Sequence, residues 1–314
     1  MRVFQFLSML DPRLTARLAR ASASLDAVAV LDLEDSLWDV TDETRTASLK
    51  AAGRRNLCAL AEQQPELFAR QKMGVRLNRL AGPDAEMDLA ALTKVSRYAT
   101  LDSVVVTKIE SESDLHAWAS ELRQRGVAYR HLVPIVETRA GMDRLDSIAA
   151  GAKRAAVDWI VYGHYDYALD SSWWPVPDHD QPGFWQHARP FIEQVERHGV
   201  GYVHPPFFQL TDLDRFGAIL ERLEGWCQRD YGVITLGRQQ TAFAANGRTE
   251  PSTARPRAPA IDEDPARHAK RIIGAFLANK RPSVSFAIDP QRGEFISPHV
   301  YLAALDYQRR NGDD

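Results

Sequence analysis

The sequence predicts a (β/α)8 barrel of the TIM-barrel class, followed by a C-terminal helical and hairpin extension. Eight short runs rich in Val and Ile alternate with helix-length segments. No Gly-rich loop of the GxGxxG or Walker type follows an early run, which weighs against an open doubly wound sheet. A chain of 314 residues suits one large α/β unit with an appendage.

The elements follow in order. VFQFL (3–7) is the first apolar run, with a helix pattern over 13–22. AVAVLDL (27–33) is a buried strand that runs into an acidic cluster, Asp32, Glu34 and Asp35. An amphipathic helix spans 42–63, with Asp42 or Thr41 as its cap. MGVRLN (73–78) is the third strand, with a helix over 84–95, and DSVVVTK (102–108) is the fourth, with a helix over 112–125. HLVPIVE (131–137) and DWIVYG (158–163) are the fifth and sixth, joined by a helix over 140–150. A helix over 184–198 leads to VGYVHPP (200–206), and one over 211–229 leads to YGVITLG (231–237).

Two segments break this rhythm. Residues 170–183 (DSSWWPVPDHDQPG) read as a long βα loop on the open face, either a substrate lid or surface decoration. Residues 246–260 are rich in Pro, Ala and Arg with no apolar period, as in a flexible linker. The expected organisation is a barrel over 1–240, a linker over 241–261 and an extension over 262–314. The extension reads as a helix (264–279), a strand-like SVSFAID (283–289), a turn (290–293) and a last helix (298–309). Such a tail needs a surface to pack on, for which a neighbouring subunit is one candidate.

Composition narrows the function. A net charge of −3 gives no broad basic field for nucleic acid. No apolar run is long enough to span a bilayer. The opening Arg2 and VFQFLSML loosely imitate a signal peptide, but Asp11, Arg13, Arg17 and Arg20 follow at once, and a cytoplasmic protein is expected. The only cysteines, Cys58 and Cys227, read as buried thiols.

In a parallel barrel, all strand C-termini open on one face, where sites are assembled from several strand ends. Those ends carry Asp32, Glu34 and Asp35, then Arg76 and Asn78, then Lys108, Glu137 and Asp166. Glu137 and Asp166 should converge there. Two carboxylates on an open polar rim suit Mg²⁺, which takes oxygen ligands and keeps waters for substrate to displace. A helix cap and a surface ion pair would explain the same two acids. Arg76 and Lys108 either serve an anionic substrate or neutralise the acids. His164, beside Asp166, is a third metal contact or a loop residue bonded to a backbone carbonyl. His204, at the seventh strand end, is expected to face the rim as a substrate contact.

LDLEDS (31–36), VRLN (75–78), VTKIES (106–111), IVETRAG (135–141) and YGHYDYALD (162–170), in this order, resemble the citrate lyase beta-subunit family, which includes malyl-CoA lyases. The likeness weakens through QLTDLDRFGAILERL and returns in HAKRIIGAF and FAIDPQRGEFISPHVYLAAL. The resemblance implies a Mg²⁺-binding barrel, trimeric or hexameric, that makes or breaks a carbon–carbon bond by aldol or Claisen chemistry. A 3-hydroxyacyl thioester would split into a 2-oxoacid and a shorter acyl thioester. It puts the metal on Glu137 and Asp166 and substrate on Arg76, and Asn78 at the same strand end is expected as a further substrate contact. Lys108 joins the catalytic group, and Asp32, Glu34 and Asp35 stand behind it.

The sequence also departs from the family. Its first strand lacks the usual Arg-Ser and Pro-Gly flanks. The family's His-Pro-x-Gln after the eighth strand reads Leu236-Gly237-Arg238-Gln239 or Gln240 here, and a tail Asp appears as Ser297. The oxoacid half of the site is kept while the CoA half is rewritten. Three functions therefore stay open: a Mg²⁺-dependent lyase on an unusual substrate, a 2-oxoacid aldolase that takes a free aldehyde, and a non-catalytic barrel that binds a metabolite or partner.

Overall fold

Eight parallel strands close into a barrel: β1 (Arg2–Ser8), β2 (Ala27–Asp32), β3 (Met73–Leu77), β4 (Leu101–Val106), β5 (Tyr129–Val136), β6 (Trp159–Tyr162), β7 (Gly201–His204) and β8 (Gly232–Thr235). β1 pairs with both β2 and β8, so the sheet has no free edge. This computed structural model describes residues 1–11, 13–21, 26–246, 264–280 and 285–311.

The helices that alternate with the strands are α1 (Leu14–Ala21), α2 (Glu43–Gln63), α3 (Pro65–Arg70), α4 (Ala85–Val95), α5 (Glu112–Gln124), α6 (Arg139–Asp143), α7 (Leu145–Ala152), α8 (His164–Asp170), α9 (Pro182–Arg197), α10 (Leu213–Trp226) and α11 (Arg238–Ala245). Asp42, not Thr41, caps α2 by accepting the Arg45 N–H. The single helix expected over 140–150 is two, broken at Arg144. None of the helices is long and apolar enough to cross a membrane, among the described residues. Cys58 and Cys227 are both free and half-buried.

Strand alternation sorts the core into layers. Phe4, Val28, Val30, Val105, Val133, Ile135, Val161, Val203 and Ile234 fill the barrel interior. A larger apolar layer, with Trp118, Tyr162, Tyr202 and Phe191, lies between strands and helices.

α11 runs to Ala245, inside the stretch expected to be linker, because its buried Thr241 bonds the Thr235 hydroxyl at 2.8 Å and ties the helix to β8. Most of the expected linker, 247–261, lies outside the described residues, as do the first two residues of the expected extension. The tail comprises α12 (Pro265–Asn279), the hairpin strands β9 (Ala287–Asp289) and β10 (Glu294–Ile296), and α13 (Pro298–Asn311). β9 is shorter than the expected strand, whose first residues also fall outside the described set. Ile272, Phe276, Ile296 and Tyr301 bury themselves with Phe208, Tyr165 and Trp174 of this same chain's barrel. Each such side chain contributes roughly 1.5–3 kcal/mol on full burial, which holds the tail over the barrel mouth.

Candidate active site

The interior register that buries Val28 and Val30 carries on to Asp32 and Glu34, and that of Val133 and Ile135 carries on to Glu137. The apolar interior thus ends in a layer of charge at the C-terminal mouth. Arg76 comes from β3, which pairs Arg76 beside Asp32. Asp166 comes from the first turn of α8, just past β6. Gly163 allows the ends of β5 and β6 to meet, since a Cβ there would lie 2.1 Å from the Glu137 Cβ.

Arg76 forks onto Asp32, with Nε to Oδ1 at 2.7 Å and Nη2 to Oδ2 at 2.6 Å. Its Nη1 reaches Asp35 Oδ2 at 2.8 Å and Glu34 Oε2 at 3.0 Å. The Lys108 ammonium lies 2.5 Å from Asp166 Oδ1, 3.5 Å from Glu137 Oε1 and 3.7 Å from Glu34 Oε1. The Lys108 backbone N–H also donates to Glu137 Oε1 at 2.9 Å. Lys108 holds φ at 55°, a left-handed conformation that costs a non-glycine residue energy and clusters at functional sites.

Burial and then the Asp166 carboxylate push the Glu137 carboxyl up to about 7. Burial, then Asp35, pushes Glu34 well above the usual carboxylate range. Burial opposes charge on Asp166 too, but His299 and Lys108 outweigh it and hold that carboxyl well below its ordinary value. Burial likewise disfavours a charged His299, yet Asp166 and Asp35 outweigh it and raise the imidazole above its ordinary value.

Asp32, Glu34, Asp35, Arg76, Lys108, Glu137 and Asp166 therefore stand together. Two expected contacts do not join them. Asn78 turns away, donating to the Leu33 carbonyl at 2.9 Å and to Asp88 of α4 at 2.8 Å, while its amide oxygen accepts from Lys50. These bonds make it a strand-to-helix tie. His204, the expected rim contact, lies instead in the outer layer. Val203 takes the interior position on β7, so the next side chain points outward, where His204 meets His179 at 2.9 Å and Tyr202 at 3.2 Å. His164 bonds the Pro177 carbonyl at 3.0 Å. Gln240 is fully buried and donates to the Phe207 carbonyl. The 170–183 loop is tied down: Asp178 and Asp180 pair with Arg215, and the Trp174 indole donates to the Pro265 carbonyl of the tail.

His299 of α13 is the site residue that sequence reasoning missed. Its Nε2 lies 3.1 Å from Asp166 Oδ1 and 3.6 Å from Asp35 Oδ1. A His in the tail's family-like GEFISPHVYLAAL stretch was the available signal, but only docking of α13 shows where it points.

The donor set fits a divalent cation. Among the described residues, the carboxyl groups of Asp32, Glu34, Asp35, Glu137 and Asp166 face Arg76 and Lys108 as permanent cations, so acids outnumber bases even with His299 counted. Burial first and the neighbouring carboxylates second raise Glu137 and Glu34, and oxygen ligands are what hard cations take.

The family model for HpcH/HpaI aldolase/citrate lyase matches residues 2–181 of the 314. The chain belongs to the HpcH/HpaI aldolase/citrate lyase family. The matched span includes every charged barrel residue of the site. This family member resembles RipC from Yersinia pestis, with a TM-score of 0.56 and 17% identity over 81% of this chain and 97% of that one. It also resembles the citrate lyase beta subunit from M. tuberculosis, solved with oxaloacetate and magnesium, with a TM-score of 0.55 and 19% identity over 76% of this chain and 94% of that one. CitE of Mycobacterium tuberculosis, in complex with magnesium, acetoacetate and coenzyme A, gives a TM-score of 0.55 and 18% identity over 99% of this chain and 98% of that one. At such identities these likenesses speak for the fold. No curated protein matches the chain.

Proposed function

We propose that this protein is a divalent-cation-dependent carbon–carbon lyase that cleaves or forms a 3-hydroxyacid through a bound 2-oxoacid. The observation that carries the reading is the buried excess of carboxylate at the barrel mouth, with Glu137 and Asp166 at its centre. Glu137 and Asp166 would hold the cation, Mg²⁺ being the ion in several fold relatives. Mg²⁺ held there would supply Lewis acidity toward the oxoacid.

The chain's own residues do the rest. Lys108 is 28% exposed on its side chain and Arg76 only 10%. Lys108 is therefore the cation that meets substrate, and it stabilises the enolate oxygen that develops as the bond breaks. Arg76, with its fork on Asp32, fixes Glu34 and Asp35 from behind. The departures at Leu236–Gln240 and Ser297 favour an acceptor other than a standard CoA thioester. Gln240, turned inward, supports this.

The test is calorimetric titration of metal-free protein with Mg²⁺, alone and with oxaloacetate, pyruvate or glyoxylate, repeated on Glu137→Ala. Binding that tightens with one oxoacid and disappears in the variant is expected. No binding of metal or oxoacid would make the acid cluster structural and the barrel a non-catalytic subunit. Turnover of pyruvate with small aldehydes, and none with acyl-CoA, would assign the free-aldehyde aldolase.

A further inference from the structure

The tail places an imidazole on the same carboxylate oxygen that holds Lys108. His299 Nε2 and Lys108 Nζ both meet Asp166 Oδ1, at 3.1 and 2.5 Å. On its other side Nε2 faces Asp35 Oδ1 at 3.6 Å. One donor atom from each of Asp35, Asp166 and His299 lies within 4.8 Å of the others. Neighbouring donors in an octahedral shell with bonds of about 2.1 Å lie roughly 3 Å apart, and His299 Nε2 already stands 3.1 Å and 3.6 Å from the two oxygens.

The imidazole is held rather than loose. His299 is 5% exposed, and its ring packs 5.3 Å from the Trp38 ring, in the loop that carries Asp35. The Ser297 hydroxyl accepts the Val300 N–H at 3.2 Å and sets the start of α13 just before it. Strand-end acids alone would offer only oxygen. Nitrogen is a poor ligand for Mg²⁺ and a good one for later first-row ions.

We propose that His299 Nε2 is a direct metal ligand, joining Asp166 and Asp35 in a mixed nitrogen–oxygen donor set that favours Co²⁺ over Mg²⁺. This rests on the divalent-cation reading above and revises which ion fills the site. It also makes the centre a joint product of barrel and tail, since α13 would supply its nitrogen ligand.

The experiment loads the metal-free full chain with Mn²⁺ and records electron-spin-echo envelope modulation. Imidazole nitrogen coupling is expected in the wild type and its loss in His299→Gln. In competition titrations, His299→Gln should lower the Co²⁺-to-Mg²⁺ affinity ratio by about tenfold or more. Bound Mn²⁺ with no nitrogen coupling in the wild type, a readout independent of any variant's folding, overturns the proposal and leaves the cation reading standing. Coupling that persists in His299→Gln also overturns it, because another nitrogen is then the ligand. Failure of the wild type to bind Mn²⁺ or Mg²⁺ overturns both.

Discussion

Lys108 Nζ lies 2.5 Å from Asp166 Oδ1, and the residue that places it there holds a left-handed backbone, φ 55°. An internal cation thus sits where acids from three barrel segments converge. Lys108→Met removes one of the cations those acids share and should destabilise the metal-free protein by about 3 kcal/mol. Lys108→Gly removes the same charge but relieves the backbone, and should be roughly 1 kcal/mol more stable than the Met variant. Urea unfolding of the three proteins checks the order, and both variants should lose at least about a hundredfold in turnover.

Gly163 is the contact point between the ends of β5 and β6. In Gly163→Ala the new methyl would lie 2.1 Å from the Glu137 Cβ and 2.7 Å from its Oε2. Glu137 must move, at a cost of roughly 1–3 kcal/mol or more. Mg²⁺ affinity measured by calorimetry should fall together with stability. A variant that binds Mg²⁺ as the wild type does would show that Glu137 is not a ligand.

The raised Glu137 predicts a pH dependence of the metal-free protein. A folded value of about 7, above the ordinary 4.5, gives a contribution to stability that is complete below 4.5 and lost as the pH rises through 7. Glu137→Gln cannot ionise. The stability of wild type minus that of Glu137→Gln should therefore fall between pH 5 and pH 8, by an amount on the order of 2 kcal/mol. His299 is present in both proteins and cancels to first order. Saturating Mg²⁺ should abolish the fall, as denaturation at the two pH values would show.

The buried histidines away from the acid cluster act in the opposite direction. Burial lowers His164 and His204 to about 3, so both are neutral in the fold. Their contribution is present above 6.5 and lost as the pH falls toward 3. His204→Gln keeps a hydrogen-bonding group toward His179 but cannot take up the proton. It should cost about 1–2 kcal/mol at pH 7, and lose less stability than the wild type between pH 7 and pH 5. An unchanged acid limb in thermal melts would mean that His204 does not set it.

Much of the barrel was legible because β-strands advertise themselves locally. Val28, Val30, Val133 and Ile135 repeat at period two, and the charged residues that follow in the same register project inward as well. That reasoning, carried one strand further, would also have turned His204 outward, since Val203 holds the interior position on β7. Asn78 escaped it because its chain has left β3, and its partners, Leu33 and Asp88, come from two other segments.

By itself the sequence determined the eight-strand order, the closed parallel class and the acids, Arg76 and Lys108 at the mouth. These follow from local periodicity and from the rule that parallel strands end on one face. Tertiary structure alone decided what each charge does. Arg76 could be seen to spend its fork on Asp32 only once β2 and β3 were in register, and Lys108 to reach Asp166 only once the barrel had closed. His299 is more than a hundred residues from Asp166 in sequence and enters the site because apolar burial docks α13 on the mouth. Such a contact is set by the packing of distant surfaces, which no local pattern in the chain encodes.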